Sequence, residues 1–569
     1  TLKAWAETYR DGVRGQEAIV SRYAATRPLG STKQDNFIGR MVWALSDPSG
    51  LPAKKFADFD PPPHIDWLEA LSLSRFNQHD LPRFKVLAES EVDDKFSFSL
   101  TNRPSPYSLA PWMCLVSPAF ARRGGLDKVM AHLARWLVRH LDDPRLLLWV
   151  AASGSKLHDN FAYMIVEALG ENPPSPLTPF WRIVLSGRLK DSSIHPDLFS
   201  WRKRLANEGL TSSLRRQLRD NLSPRIQLRK AHHYEEDGDW DIRDEIPQID
   251  WELVLEADHV HSLFKDIAKG DAWQNALPLL LNDATDLLIE TLELLQELGK
   301  ADEDRDGSFW QQPSIKRHPQ NRTYRDWTAL IDFARDAWLA AADQMPARAV
   351  REVCRWSELR FPLFQRLVFF AATERSELFS VDETLDWLLA RDHYWLWSVE
   401  TQHEVMELIS RLATRMNKKQ RARLEAALLK GPSASDADAE RHMRRTNREV
   451  WRRLFLLKNS GANLSKKGDD RINSILSTNP EWSEPSEKDS FPIWMSNGDI
   501  CRTYRSAPAL RRDLEQWLLN NPDTDNFDNA DDWRDRCRND YPRCAVALVS
   551  LASQGHWLTG RWRQALQVW

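Results

Sequence analysis

Glycine and cysteine are scarce in this 569-residue chain, which has 21 Gly and 5 Cys. Set against 26 Trp, so few glycines describe a chain that spends its residues on packed helices with bulky anchors, because each indole buries a large apolar area and asks for one hydrogen-bond partner. Cys114, Cys354, Cys501, Cys537 and Cys544 are too few and too scattered for a disulfide framework, and none forms CxxC. That pattern favours a reducing compartment, with the cytoplasm as the default. No apolar run reaches the ~18 residues of a membrane helix, and the first residues are polar rather than signal-like. Also missing are the GxxxxGK[ST] loop, the GxGxxG turn and the GxSxG elbow, so nucleotide binding and a serine-hydrolase site have no support from motif. The net charge of -4 gives the whole chain no field that would draw it onto nucleic acid or an anionic membrane. The chain starts at Thr1 and enters at once on the helical spacing of Leu2, Trp5 and Tyr9, so it is expected to be part of a longer polypeptide.

What is present is ordinary for a folding chain: 42% hydrophobic and 28% charged residues, far from the composition of disorder. The length predicts three or four domains, or one elongated array. From Asp127, a suitable N-cap, Val129, Leu133, Trp136, Leu137 and Leu141 recur on one helical face until Pro144 discourages continuation. Between Pro278 and Gly299, Leu281, Ala284, Leu288, Leu292 and Leu295 repeat the pattern, and Gly299 suits a helix end. Similar helical spacing covers 327–342, 349–356, 363–372, 384–397, 403–416, 441–457 and 509–519. Strand-like alternation is sparse, the best case being 95–100. Breaks are expected at 61–63, 171–179, 231–250, 299–321, 430–440 and 461–488, where charge or Pro and Ser prevent burial. They suggest four helical regions, 1–170, 171–298, 299–430 and 431–569. The fold class expected is all-α, an irregular HEAT- or tetratricopeptide-like solenoid or stacked helical bundles with minor β, although no constant period is visible.

Several constellations invite a chemical reading, and each has a plainer one. Asp302, Asp304, Asp306 and Gly307 open like a calcium loop, but the twelfth position, which must supply a bidentate Glu, is Pro313; a solvated acidic loop is the plainer reading. His232, His233, Glu235, Glu236, Asp237 and Asp239 lack convergent ligand spacing, and read as a linker. His259 and His261 share a face only on a strand. Ser153 and Lys156 form S-x-x-K without its companion elements. Two basic stretches, 202–230 and 411–453, could grip phosphate, with Trp451 to stack on a base; a solvated face balanced by acids is the alternative. Trp387, Trp395 and Trp397, or Trp557, Trp562 and Trp569, could form a recognition platform or simply pack. No catalytic, cofactor-binding or metal-binding residue is assigned, and no cofactor is expected in this chain.

RPSPYSLAPWM (103–113), LARWLVRHLDDPRLLLWV (133–150), FWRIVLSGRL (180–189), DRINSILSTNPEW (470–482) and DSFPIWM (489–495) resemble the C-terminal region of bacterial anti-phage defence-associated sirtuins. The resemblance touches most of the chain, through packing and turn sequences that carry no chemistry. It implies a large helical region that recognises a phage component and thereby controls a sirtuin-type domain that hydrolyses NAD. Nothing here matches the sirtuin part, since no Gly-rich turn opens a βαβ unit. The expectation is therefore a helical sensor whose partners are a phage structural protein and the sirtuin-type effector, with homo-oligomers formed through that effector and no membrane contact. The rivals are a nucleic-acid-binding helical repeat and a hydrolase with a site outside known motifs.

Overall fold

A computed structural model describes residues 50–63, 65, 68, 127–152, 157–171, 175–191, 196–230, 249–322, 325–432, 439–480, 482, 484–494, 511–520, 533–566 and 568–569. Among them are 24 α-helices and one two-stranded sheet, so the chain is all-α with minor β. They fall into two compact units, drawn from Thr1–Arg317 with Asn321–Ser433 and from His318–Gln320 with Ala434–Trp569. The alternation expected at 95–100 lies outside the described residues.

Unit 1 begins with α1 (Leu51–Ala57), α2 (Asp127–Val138), α3 (Pro144–Ala152), α4 (Asp159–Glu171) and α5 (Thr178–Leu185). α2 packs against both α1 and α4, and α5 against α3 and α4. The stripe read from sequence explains this placement, for Val129, Leu133, Trp136 and Leu137 are all fully buried. Pro144 opens α3, because a missing N–H goes unnoticed in the first turn of a helix.

Next come α6 (Leu198–Glu208) and α7 (Ser212–Asn221), capped by the side chains of Asp197 and Thr211. Strands β1 (Pro224–Lys230) and β2 (Ile249–Leu255) follow, antiparallel, with Ile226 opposite Leu253 and Leu228 opposite Trp251. By sequence, 224–230 belongs to a basic stretch and the start of β2 to a break. The arginines hid a two-residue period in which Ile226 and Leu228 share one face.

The rest of unit 1 is a succession of helices: α8 (Val260–Ile267), α9 (Asp271–Ala276), α10 (Leu281–Glu297), α11 (Ser308–Gln311), α12 (Ala329–Gln344), α13 (Pro346–Glu358), α14 (Pro362–Glu374), α15 (Val381–Leu388), α16 (Ala390–Trp397), α17 (Gln402–Ala413) and α18 (Lys418–Lys430). α10 packs on α12, α12 on α13, α13 on α14 and α14 on α17, while α15 meets α18. This serial side-by-side stacking is the helical-repeat or bundle arrangement expected. α14, apolar over this span but for Gln365 and Arg366, buries every residue from Pro362 to Ala372, as a helix enclosed by its neighbours does. Gly299, at φ 68°, ends the α10 region as anticipated. The stretch 384–397, expected as one helix, is two: Arg391, Asp392 and His393 have left-handed backbone.

Tryptophan pins these elements together. Of the fully buried indoles in unit 1, Trp136 donates to the Pro63 carbonyl at 2.7 Å, Trp181 to Leu141 at 2.8 Å, Trp201 to Leu214 at 2.9 Å and Trp338 to Ala349 at 3.1 Å. Trp356 donates to Thr285 Oγ1 at 2.9 Å and Trp327 to Gln311 Oε1 at 2.5 Å. Each ring thus fills a helix contact while its N–H satisfies an oxygen that would otherwise be buried at a cost of about 1–3 kcal/mol.

In unit 2, α19 (Ala439–Asn459) packs on α20 (Lys466–Thr478). α20 lies in a segment read from sequence as a break, and it forms because Ser465 caps it and Ile472 and Ile475 bury. The C-terminal helices are α21 (Arg511–Asn520), α22 (Trp533–Asn539), α23 (Tyr541–Ser553) and α24 (Thr559–Leu566). They share a core of Leu514, Leu518, Trp533, Cys537, Cys544 and Leu548.

Candidate functional site

The densest chemistry in unit 1 lies under the 299–321 loop. Arg366, on the buried helix α14, is fully enclosed, and its guanidinium meets Glu404 through Nε at 2.9 Å and Nη2 at 3.0 Å. The same group donates to Ser308 Oγ at 3.1 Å and to the Gln312 carbonyl at 2.8 Å. Glu404 in turn accepts the Ile315 N–H at 2.9 Å. Asp306 accepts the Ser308 N–H at 2.9 Å and the Leu363 N–H at 2.6 Å, placing its carboxylate at the start of α14, where the helix dipole favours negative charge. Glu400 accepts the Gly307 N–H at 3.3 Å. Burial and the neighbouring Asp306 charge push the Glu400 carboxyl up to about 7, while the Asp306 and Gly307 N–H groups and Arg366 pull the other way. A second arginine, Arg335 on α12, reaches the Ile315 carbonyl at 3.1 Å and Asp336 at 2.7 Å.

These oxygens and nitrogens are spent on the loop backbone and on one another, so the centre fastens the loop to α12, α14 and α17. Among the described residues, no group of three or more His, Cys, Asp or Glu is placed to hold a metal ion. Asp306 therefore takes part in a buried clamp, unlike the solvated acidic loop expected of it. Asp302 does face solvent, where its carboxylate accepts the Asp304 and Arg305 N–H groups at 2.9 Å. Arg366, Glu400 and Glu404 belong to no motif in the sequence. The available signal was a glutamate at 404 set beside Val405 and Leu408, a charged residue among apolar neighbours on a buried helix face.

The other candidates separate. His259 begins α8 in left-handed backbone, while the His261 ring lies against the Arg325 carbonyl at 3.2 Å and Thr328 Oγ1 at 3.0 Å. Ser153, Lys156 and the run from His232 to Asp239 lie outside the described residues. The first basic stretch is matched by the acidic face of α10: Arg215 pairs with Asp283 at 2.8 Å, and Arg219 with Glu290 at 2.9 Å. In the second, Arg423 meets Asp386 at 2.7 Å, and Arg453, buried, holds Glu449 at 2.5 Å. The Trp451 ring packs on Trp482 and Phe455. Trp395 is buried beneath the Arg391 guanidinium, and Trp387 packs on Phe379.

The C-terminal trio behaves differently. Trp557 is 68% exposed and Leu566 64% exposed. With Thr559, Trp562 and Arg563 they line an open groove of about 560 Å³, its two indoles 6.5 Å apart between ring centres. Trp569 rests on Tyr541 and donates to the Cys537 carbonyl at 2.9 Å. An exposed aromatic groove on a packed helical base has the form of a binding surface.

Fold and site together define an all-α helical chain with an exposed aromatic groove among the described residues of its C-terminal helices. Comparison with family models, with curated proteins and with solved structures finds no match to this chain. No helix among the described residues is long and apolar enough to cross a membrane.

Proposed function

We propose that the chain is the helical recognition region of an anti-phage defence protein, which binds a phage structural protein in the cytoplasm and thereby controls a sirtuin-type NAD-hydrolysing effector. The observation that carries this reading is the open Trp557–Trp562 groove, because tryptophan is enriched where protein partners dock. The segments resembling the C-terminal region of defence-associated sirtuins support it. Stacked helices also suit a relay, since small sliding of packed helices can pass a binding event onward, provided the partner favours one arrangement over the other. Against the nucleic-acid rival stands the internal pairing of both basic stretches.

The test is to co-express the chain and a sirtuin-type effector with phage structural proteins one at a time and follow cellular NAD. A single trigger that lowers NAD and co-purifies with the chain is the expected result. Unchanged NAD across the whole set, or a purified chain that retains only RNA, overturns the reading. Turnover of NAD or nucleic acid by this chain alone would do so as well.

A further inference from the structure

The groove carries a charge as well as an apolar wall. Of the residues that line it, Trp557, Thr559, Trp562, Arg563 and Leu566, Arg563 alone is charged. Asp540 is already engaged by Arg536 at 3.0 Å and Arg543 at 3.3 Å. Arg561 is buried, its guanidinium 5.0 Å from the Trp517 ring centre. Arg563 is exposed in the groove itself and makes no ion pair among the described residues.

The wall around it is almost wholly apolar: Trp557, Trp562 and Leu566, with Thr559 at the edge. A volume of about 560 Å³ lies within the range of roughly 300–1,000 Å³ typical of binding clefts, enough for two or three bulky side chains. Apolar contact alone would accept many partners. A cation at the rim selects among them, because a like charge brought beside it is penalised and an opposite charge is drawn in.

We infer that the groove formed by Trp557, Trp562, Arg563 and Leu566 docks an acidic segment of a protein partner, seating apolar side chains between the indoles and a carboxylate on Arg563. This inference rests on the reading of the chain as a protein-recognition region and supplies the site and the chemistry of what it recognises.

The experiment uses the full chain and three labelled amphipathic peptides. One carries Leu and Phe on one helical face and Asp and Glu on the other; the second replaces the acids by Lys; the third replaces the apolar face by Ser. Fluorescence anisotropy should show the acidic peptide binding at least tenfold tighter than the other two. W557A should weaken it about tenfold, and Arg563→Glu should invert the preference in favour of the Lys peptide. Both positions are exposed, and far-UV circular dichroism confirms that each variant keeps its helices. Equal binding of acidic and basic peptides overturns the inference, as does indifference to both variants. So does a groove filled by a second copy, seen as a dimer in sedimentation that W557A dissolves. Cross-linking of position 557 to the chain's own aspartate-rich residues 523–532 likewise overturns it, as does preference for RNA or for phosphatidylserine vesicles over the acidic peptide. Failure here leaves the NAD response to a phage protein intact, whereas failure of that response leaves peptide binding measurable, so the two readings fall separately.

Discussion

The two units hold their fully buried tryptophans alike and differ in where an exposed indole sits: Trp310 is 52% exposed in unit 1, whereas the exposed Trp557 of unit 2 lies beside Trp562 in a groove. In unit 1 each of the fully buried indoles finds an oxygen, usually a carbonyl at a helix end or loop. In unit 2, Trp533 does the same, donating to the Arg561 carbonyl at 3.2 Å. Among the described residues, the buried N–H groups of Trp451 and Trp562 have no acceptor, and Trp557 faces outward. The same residue type thus serves as a pin where a buried ring finds an oxygen, and as an open contact surface where, as at Trp557, the ring stays exposed. A scaffold gains from the first, and a docking surface from the second.

The sharpest way to break this contrast is at the clamp beneath the 299–321 loop. Arg366→Met should destabilise unit 1 by about 3–5 kcal/mol, because Glu404 is left buried without its counter-charge, and urea unfolding followed by circular dichroism measures it. A loss below about 1 kcal/mol would mean that the clamp does not hold the loop.

Acidity tests the same centre. The folded-state acidity of Glu400 lies at about 7, above that of an unfolded glutamate at about 4.3, so the folded protein binds the extra proton. The contribution is fully present below the unfolded value and is lost as pH rises through about 7. Stability of unit 1 should therefore fall by on the order of 2 kcal/mol between pH 5 and pH 8 from this group. Glu400→Gln, which keeps an acceptor for the Gly307 N–H, should flatten that part of the profile in calorimetry. A wild-type profile unchanged by the substitution would assign the slope to another group.

The indoles themselves give a smaller, paired effect. Trp356→Phe strands the buried Thr285 hydroxyl, whereas Trp562→Phe removes an N–H that has no partner among the described residues. The first should cost about 1 kcal/mol more than the second, and equal losses would remove the distinction between a pinned and an unpinned indole. Smallest of all, W557A should change stability by less than about 0.5 kcal/mol, since an exposed ring holds nothing together.

Much of the helical frame was legible because a buried stripe leaves a period near 3.6 in the sequence, as Val129 to Leu137 and Leu281 to Leu295 show. The clamp was not legible. Asp306, Arg366 and Glu400 are far apart in the chain, and nothing in their spacing announces a meeting. The strands at 224–230 and 249–255 were hidden by their charges, and α20 by its polar surface. The tryptophan groove was half legible: the trio of Trp557, Trp562 and Trp569 was named, but exposure depends on what packs beside each ring.

Sequence alone determined that this protein is built of helices, since hydrophobic period, caps and prolines act within a few residues of one another. Tertiary structure decided which charges are paired, which indoles are pinned and which remain open to a partner. Those outcomes depend on atoms brought together from distant parts of the chain, where burial sets the cost of leaving a polar group alone.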